Sequence, residues 1–398
     1  MTDRSGNSDS FRDLGSVVVG ATAFQVMGGL VPQMSPFVIA GLIGGLSLSE
    51  RDAGTVASVE MMALAATAFV IAPVLPRVSY RRAGLLAIVL TLLAQVASIF
   101  AAGTTALILL RGIAGIGEGA LFAMSLSIVA SHCRNPEKIF GYFQLVWALG
   151  SVVLFSVGGE VTAAFAHRGV FTLIAGLTLA ISPLLFLVPN LRAVRDEEAK
   201  SRVPAPLLGV LLLAAIVLYV AVSAGLFAFS GPMGERVGLD TSQVGYILTL
   251  SSLVGLAGAA AATSLNVRWG RIIPISAFAF GYAVIAIMLC LWMDPWAYSF
   301  AVLASSVLYS FSLPYLFGLA AALDKKGRWA AAAGSANLLG FAVGPIFVGA
   351  VIEAWGYTAL AAVCVAMILV FWGITIFIVG TALDRRRDIT ALSNAVKQ

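Results

Sequence analysis

Arg111 and Glu118 stand seven residues apart in the run Arg111-Gly112-Ile113-Ala114-Gly115-Ile116-Gly117-Glu118-Gly119. On a helix, seven residues make almost two turns. Both side chains then leave one face, about 10 Å apart along the axis. A guanidinium and a carboxyl within a long apolar stretch are costly unless paired or hydrated, so such residues point to ionic work. Glu118 could carry a proton, and Arg111 could tune it or hold an anion. A substrate carboxylate that occupied Arg111 would leave Glu118 free to take up a proton, which is a means of coupling. The competing reading is a structural ion pair or helix clamp. Glu60 lies about eight residues inside the second apolar run, at a depth that suits either a second proton site or a side chain reaching back to the interface. Glu160 and Glu353 lie near the ends of apolar runs and are expected to be solvated.

Neutral polar and aromatic residues within the runs could line a solute cavity: Gln25, Gln33, Gln144, Trp147, Tyr219, Tyr282, Tyr309, Tyr315 and Asn337. Gln25 and Gln33, eight apart, share roughly one helix face. The set offers no nucleophile with a convergent base, so an enzyme is not expected. His132 and His167 are the only histidines and belong to different loops. No His or Cys cluster has metal-ligand spacing, and no Gly-x-x-x-x-Gly-Lys-Ser/Thr loop exists to bind ATP. No cofactor or metal is expected. The wide spacing of Cys133, Cys290 and Cys364 gives no metal pattern, and their odd count speaks against a disulfide framework. No repeated pore-loop signature suggests a channel.

These residues can be positioned only by membrane helices. Of the 398 residues, 60% are apolar and 11% charged, and the mean hydropathy is +0.99. That composition excludes a soluble enzyme, a disordered chain and a nucleic-acid binder, because too few polar residues remain to cover a wet surface. Long uniform apolar runs mean helices rather than the alternating strands of a barrel. Apolar runs predict twelve spans near 15–45, 52–75, 83–102, 104–131, 139–164, 169–188, 206–233, 242–266, 272–292, 296–322, 329–352 and 357–381. The first is read as a retained helix, since no small-residue cleavage motif follows it. The longest polar break, 189–205, falls at the midpoint and reads as a linker between a six-helix half, 1–188, and a second, 206–398. With both termini in the cytoplasm, every lysine and all arginines except Arg51, Arg168, Arg236 and the embedded Arg111 fall on that side. The net charge of +5 is therefore read as loop charge that orients the chain.

The two halves echo each other. Gly54 and Gly245 are 191 apart, as are Arg77 and Arg268. Gly150 and Gly159 match Gly340 and Gly349 at a spacing of 190. Four matches at nearly one offset predict parallel repeats, an arrangement that places a substrate site near the bilayer midplane between them. Arg111 and Glu118 map onto Val302 and Tyr309, so ionic work belongs to the first half.

The loops after spans 2 and 8 read Pro76-Arg77-Val78-Ser79-Tyr80-Arg81-Arg82 and Val267-Arg268-Trp269-Gly270-Arg271. Both resemble the loop signature Gly-x-x-x-Asp-Arg-x-Gly-Arg of the major facilitator superfamily. Arg77, Arg268, Gly270 and Arg271 keep it, with Arg81 beside them, while Pro76 and Val267 replace the acid. The span 4 run resembles that superfamily's Arg-x-x-x-Gly-x-Gly-x-Gly motif, which is associated with proton coupling. Its Gly-x-Gly-Glu variant looks like the organic-anion and spinster-like branches.

The resemblance implies an all-α membrane fold of twelve helices in two six-helix halves that rock about a central site. The arginines in the two loops would belong to a cytoplasmic gate, whose charge pairing the missing acids alter. Spans 1, 4, 7 and 10 would line the cavity, which favours Gln25, Gln33, Tyr219, Tyr309 and Tyr315. Span 11 carries Gly344-Pro345, whereas span 5 lacks the proline of the antiporter-type signature, which speaks against a standard drug antiporter. The function expected is secondary transport of a small organic solute by alternating access, coupled to protons. Arg111, the glutamines and the tyrosines favour an organic anion, with an aromatic carboxylate as one form. Export of amphipathic drugs is the second reading, and a membrane enzyme or receptor the third. Expected partners are a small-molecule substrate, protons and the lipid bilayer, with the chain acting as a monomer and no nucleic acid involved. Short loops fit a bacterial inner membrane.

Overall fold

A backbone surrounded by lipid must satisfy its own hydrogen bonds, and helices do so within one segment. The computed structural model describes residues 5–71, 74–132, 136–188, 206–265, 268, 270–323 and 328–395. Every regular element among them is helical. In chain order these are α1 (Ser5–Leu46), α2 (Glu50–Ile71), α3 (Tyr80–Ile99), α4 (Thr104–His132), α5 (Pro136–Ile181), α6 (Pro206–Ala228), α7 (Ser230–Arg236), α8 (Thr241–Leu265), α9 (Ile272–Leu291), α10 (Pro295–Leu323) and α11 (Arg328–Ala395). Among the described residues ten helical stretches are long and apolar enough to cross a membrane. The chain is an integral membrane protein. The proposed linker 189–205 and Cys133 lie outside the described residues, while Cys290 and Cys364 are buried free thiols.

Two stretches exceed one crossing. Val146–Leu187 has 42 residues and Ala332–Thr381 has 50, where about 20 suffice. Each is broken by a residue with non-helical angles, Ala166 (φ 49°, ψ −136°) in α5 and Gly356 (φ 76°, ψ −178°) in α11. These breaks are 190 apart, the repeat spacing already seen in the glycines. Gly356 adopts its angles freely for want of a Cβ. Ala166 holds them against its own methyl group, at a cost of about 1–3 kcal/mol. Ala166→Gly is therefore expected to stabilise the protein by about 1 kcal/mol, after about 0.5–1 kcal/mol is lost to the freer unfolded chain. A melting curve in detergent that is unchanged or lowered would show that no strain resides there.

Helix starts follow local chemistry. The Ser49 hydroxyl accepts the Asp52 N–H at 3.2 Å to begin α2. At α8, Asp240 accepts the Gln243 N–H at 2.7 Å while Gln243 accepts the Asp240 N–H at 2.9 Å, a reciprocal capping box. Ser49 and Asp240 are 191 apart. Some limits differ from the hydropathy reading. α1 begins at Ser5 and α11 runs to Ala395, because hydropathy marks where apolar residues stop and not where helical hydrogen bonding stops. The seventh span breaks at Phe229, which separates α6 from α7.

Several turns cluster at one end, called here the turn end: Gly45, beside the turn at Ser47, faces Ala166 and His167, Arg236, beside the turn at Gly238, reaches the Cys290 carbonyl and the Tyr357 ring, and Gly54 and Gly349 join the start of α2 to α11 there. α4 packs against α1, α2 and α3; α10 packs against α8 and α9; α11 lies along α6 and α9. α2 meets α11 and α5 meets α8, which joins the first part of the chain to the second.

Candidate functional site

The glycines of α4 bring three helices together. A methyl at Gly115 would strike the Glu60 carbonyl oxygen of α2, and one at Gly119 the Leu64 carbonyl oxygen. Gly117 faces the other way, where a methyl would strike the Thr91 side chain of α3. Residues four apart share a face and the one between them looks elsewhere, so alternate glycines admit two neighbours at backbone contact.

This close packing sets α2 and α3 beside Arg111 and Glu118. All three charged side chains are sealed: Glu60, Arg111 and Glu118 are each 0% exposed. Arg111 Nη1 pairs with Glu60 Oε1 at 2.8 Å and donates to Gln95 Oε1 at 2.8 Å. Its Nη2 donates to the Ser98 hydroxyl at 2.5 Å and to the Ala94 carbonyl at 3.1 Å. The guanidinium lies 4.5 Å from the Phe171 ring centre, beyond the break in α5. Gln95 Nε2 donates to Glu118 Oε1 at 2.9 Å. Glu118 Oε2, Glu60 Oε2 and Arg111 Nε are buried without a hydrogen-bond partner. Arg111 thus reaches Glu118 through Gln95, and Glu60 is its direct ion partner. Gln95, Ser98 and Phe171 carry no charge or motif, so only proximity marks them.

The other candidate residues fall into separate places. Gln25 is hydrogen-bonded to Ser125, tying α1 to α4. Gln33 Nε2 donates to the Ser151 hydroxyl of α5 at 2.6 Å, and Trp147 covers Gly29 of α1. Gln33 and Trp147 are both part-exposed. In the second part of the chain, Tyr309 of α10 donates to Asn337 Oδ1 of α11 at 3.3 Å, and both are part-exposed. Tyr219 is buried among Phe278, Tyr282 and Phe371, with ring centres 5.0–5.3 Å away. Tyr282 reaches the Ser305 carbonyl at 3.4 Å. Tyr315 is 5% exposed and packs on Phe311. The Gln144 side chain lies outside the described residues. Of the loop set, Arg77 and Arg268 are exposed, Arg81 stacks over Phe186, Gly270 takes φ 69°, and Arg271 donates to the Gly318 carbonyl at 3.3 Å.

At the turn end the repeat glycines form contacts between the two parts. A methyl at Gly54 of α2 would strike the Pro345 carbonyl of α11, and one at Gly349 of α11 the Glu50 carbonyl of α2. On the other side, a methyl at Gly245 of α8 would come within 2.7 Å of the Phe155 carbonyl and 3.0 Å of Gly159. Pro345 lacks a donor, and the next N–H, that of Ile346, is taken by the Ser58 hydroxyl of α2 at 2.8 Å. Glu353 accepts the Arg51 N–H at 3.2 Å and Glu160 accepts the Tyr246 hydroxyl at 2.7 Å. Both acids are exposed, as expected of end residues, and both also link α2 or α8 to its opposite number.

By fold and site the chain is a polytopic helical membrane protein with a buried ionic cluster in one part and close helix pairs across the two parts. The Major Facilitator Superfamily profile matches residues 17–324, and the chain belongs to that family of transporters; it is not an enzyme. A curated protein of Deinococcus radiodurans named "Putative sugar efflux transporter" is 27% identical over 267 residues, 61% of this chain and 65% of that protein. The match therefore spans just under two thirds of that relative. Among solved structures, a D-xylose–proton symporter superposes with a TM-score of 0.69 at 14% identity, covering 91% of this chain and 97% of its own. A nucleoside transporter gives 0.70 at 11%, covering 94% and 99%. A bacterial homologue of the human lysosomal transporter Spinster gives 0.64 at 16%, covering 93% and 96%. At these identities the likeness is one of fold.

Proposed function

We propose that this chain is a proton-coupled secondary transporter that moves a small uncharged polar organic molecule, of which a sugar is the leading example, by alternating access. Its twelve spans arise from the ten long stretches once α5 and α11 are each counted as two at their breaks. The halves are 1–188 and 206–398, both termini face the cytoplasm, the turn end faces outward, and the contacts across that end support reading this as the inward-facing form. The bacterial inner membrane and a monomeric working unit belong to the same reading.

The observation that carries the substrate class is the placement of Arg111. Its guanidinium is 0% exposed and engaged by Glu60, Gln95 and Ser98, so it offers no charge to a solute in this form. The part-exposed members of the candidate set within the helices are neutral: Gln33 and Trp147 in one half, Tyr309 and Asn337 in the other. Gln33 lies three residues before Pro36, whose carbonyl meets Gly231 of α7, so it sits about one turn below a contact between halves. Amides, hydroxyls and aromatic faces suit hydroxyl-bearing rings, and the name of the Deinococcus relative points the same way. The organic-anion reading needs Arg111 to leave Glu60 and face the cavity.

Proton coupling draws support from charge balance. Two carboxyls share one guanidinium in a sealed place, so the cluster is electroneutral only when it also holds a proton. Glu118, which lacks a direct ion partner, is the acid we assign to carry it, with Arg111 and Glu60 completing the device.

The test uses the purified protein with lactose, glucose, benzoate and a cationic amphiphile, reading ligand-induced thermal shifts at low and high pH. Sugar-only stabilisation supports the proposal. Stabilisation by benzoate alone restores the anion reading, and by the amphiphile alone the drug reading. In vesicles, Glu118→Gln is expected to abolish accumulation driven by a proton gradient while sparing downhill exchange of the same solute. Accumulation retained by that variant would remove Glu118 from the coupling step.

A further inference from the structure

Gln95 occupies an unusual place in the cluster. It lies on α3, between the two charged groups of α4. Its carboxamide oxygen accepts from Arg111 Nη1 at 2.8 Å and its amino group donates to Glu118 Oε1 at 2.9 Å. Flipping the amide would set NH2 against a guanidinium, which has no acceptor, and C=O against a carboxylate, which has no donor. Its orientation is therefore dictated by the charges on either side. The groups facing Glu118 from packed elements are few: Gln95 of α3, Arg111 on its own helix, and Glu60 of α2 beyond the arginine. From α1 it meets Gly28, where a methyl would lie 2.8 Å from the Glu118 carbonyl.

We propose that Gln95 is a positioning residue that transmits the protonation of Glu118 to the Arg111–Glu60 pair. The argument rests on the reading that Glu118 takes up a proton. An ionised Glu118 only accepts, so it holds the amino end of Gln95 and leaves the carboxamide oxygen to Arg111. A protonated Glu118 gains an O–H donor, for which that same oxygen, on the carboxamide already bonded to Glu118, is a neutral acceptor. Arg111 then shares or loses its hold on α3 and shifts its bonding toward Glu60 on α2. An amide has no acidic proton to pass on at these pH values, so the role is orientation and not proton relay. Two residues before Glu60, Ser58 holds the Ile346 N–H of α11, so a change at Glu60 falls within one turn of a contact between halves.

The experiment follows both ends of the link in nanodiscs across a pH series. Infrared difference spectra report the neutral-acid carbonyl of Glu118, assigned by its loss in Glu118→Gln. Nitrogen-15 resonances of the guanidinium, assigned by Arg111→Lys, report Arg111. In the wild type the two signals should change together. In Gln95→Met the Glu118 band should still titrate, moved to higher frequency by loss of its hydrogen bond, while the pH-linked shift of Arg111 falls by more than half. Ser98→Ala, which removes a different Arg111 partner, should leave the Glu118 band in place. Should Gln95→Met fail to fold, Gln95→Asn keeps the polarity but is one methylene too short for both partners and should uncouple the signals likewise. Arg111 shifts that still follow Glu118 in a folded Gln95 variant overturn the role of Gln95 and leave proton coupling intact. If no neutral-acid band is lost in Glu118→Gln at any pH, the coupling reading itself fails, and the role of Gln95 with it.

Discussion

Arg111→Gln is expected to destabilise the protein by about 3–5 kcal/mol, enough to leave little folded material. The guanidinium serves Glu60, Gln95, Ser98 and the Ala94 carbonyl at once. Removing it strands the Glu60 carboxylate in a place sealed from solvent and leaves the Gln95 oxygen unpaired, which adds about 1–3 kcal/mol of its own. The cost arises from an uncompensated buried charge, so it should be relieved by neutralising the partner. Arg111→Gln combined with Glu60→Gln is expected to recover more than half of the lost stability, with two amides able to bond each other. Thermal unfolding of both single variants and the double variant in one detergent forms the cycle. Additive losses would mean that Arg111 and Glu60 do not act as a pair. The double variant also tests the solute, since it removes the guanidinium while keeping the fold.

Gly245→Leu is expected to act on conformation and leave folding alone. In the closed turn end a side chain at this position meets the Phe155 carbonyl and Gly159, and backbone cannot yield as a flexible side chain does. Overpacking of this kind costs about 1–3 kcal/mol, and the full branched side chain places the penalty at the upper end. About 3 kcal/mol against one state changes the ratio of the two states roughly 100-fold. The halves should part at the turn end and transport should fall with them. The readout is a single cysteine at Ser156, whose hydroxyl lies 3.0 Å from that of Thr249 across the same contact, in a chain otherwise free of cysteine. A membrane-impermeant maleimide applied from the turn end should label it slowly in the parent and rapidly with Gly245→Leu. Unchanged labelling would show that the glycine seat does not govern closure. Elution at the parent position on size exclusion separates the effect from misfolding.

Much of this arrangement could be read from residue order. The α4 glycines announced close helix packing, because in lipid small residues are what let backbones touch. The 190–191 offset marked Gly54, Gly159, Gly245 and Gly349, and all four now stand at contacts between the two parts of the chain. The same offset links the caps at Ser49 and Asp240 and the breaks at Ala166 and Gly356, and both breaks fall in the gaps that hydropathy left between spans, 165–168 and 353–356. The ionic residues stood out because charge is rare in a span. Their partners did not. Gln95 and Ser98 look like ordinary polar residues of a membrane helix, and Ser58 matters only because Pro345 lies across from it, 287 positions away in sequence.

Sequence by itself determined that this chain lives in a membrane as helices, that an acid and an arginine lie on one stretch of α4, and that glycines, caps and breaks recur at an offset of 190–191 residues. Those properties follow from composition, spacing and periodicity, which are local or self-referential. Only the tertiary structure decided that Arg111 belongs to Glu60, that Gln95 stands between Arg111 and Glu118, and that the cluster is sealed while Gln33, Trp147, Tyr309 and Asn337 remain part-exposed. A helix apolar on every side carries no periodic signal to say which face meets protein and which meets lipid. Its rotation is set by where glycines admit a neighbour and where buried polar groups find partners, and both depend on residues far away along the chain.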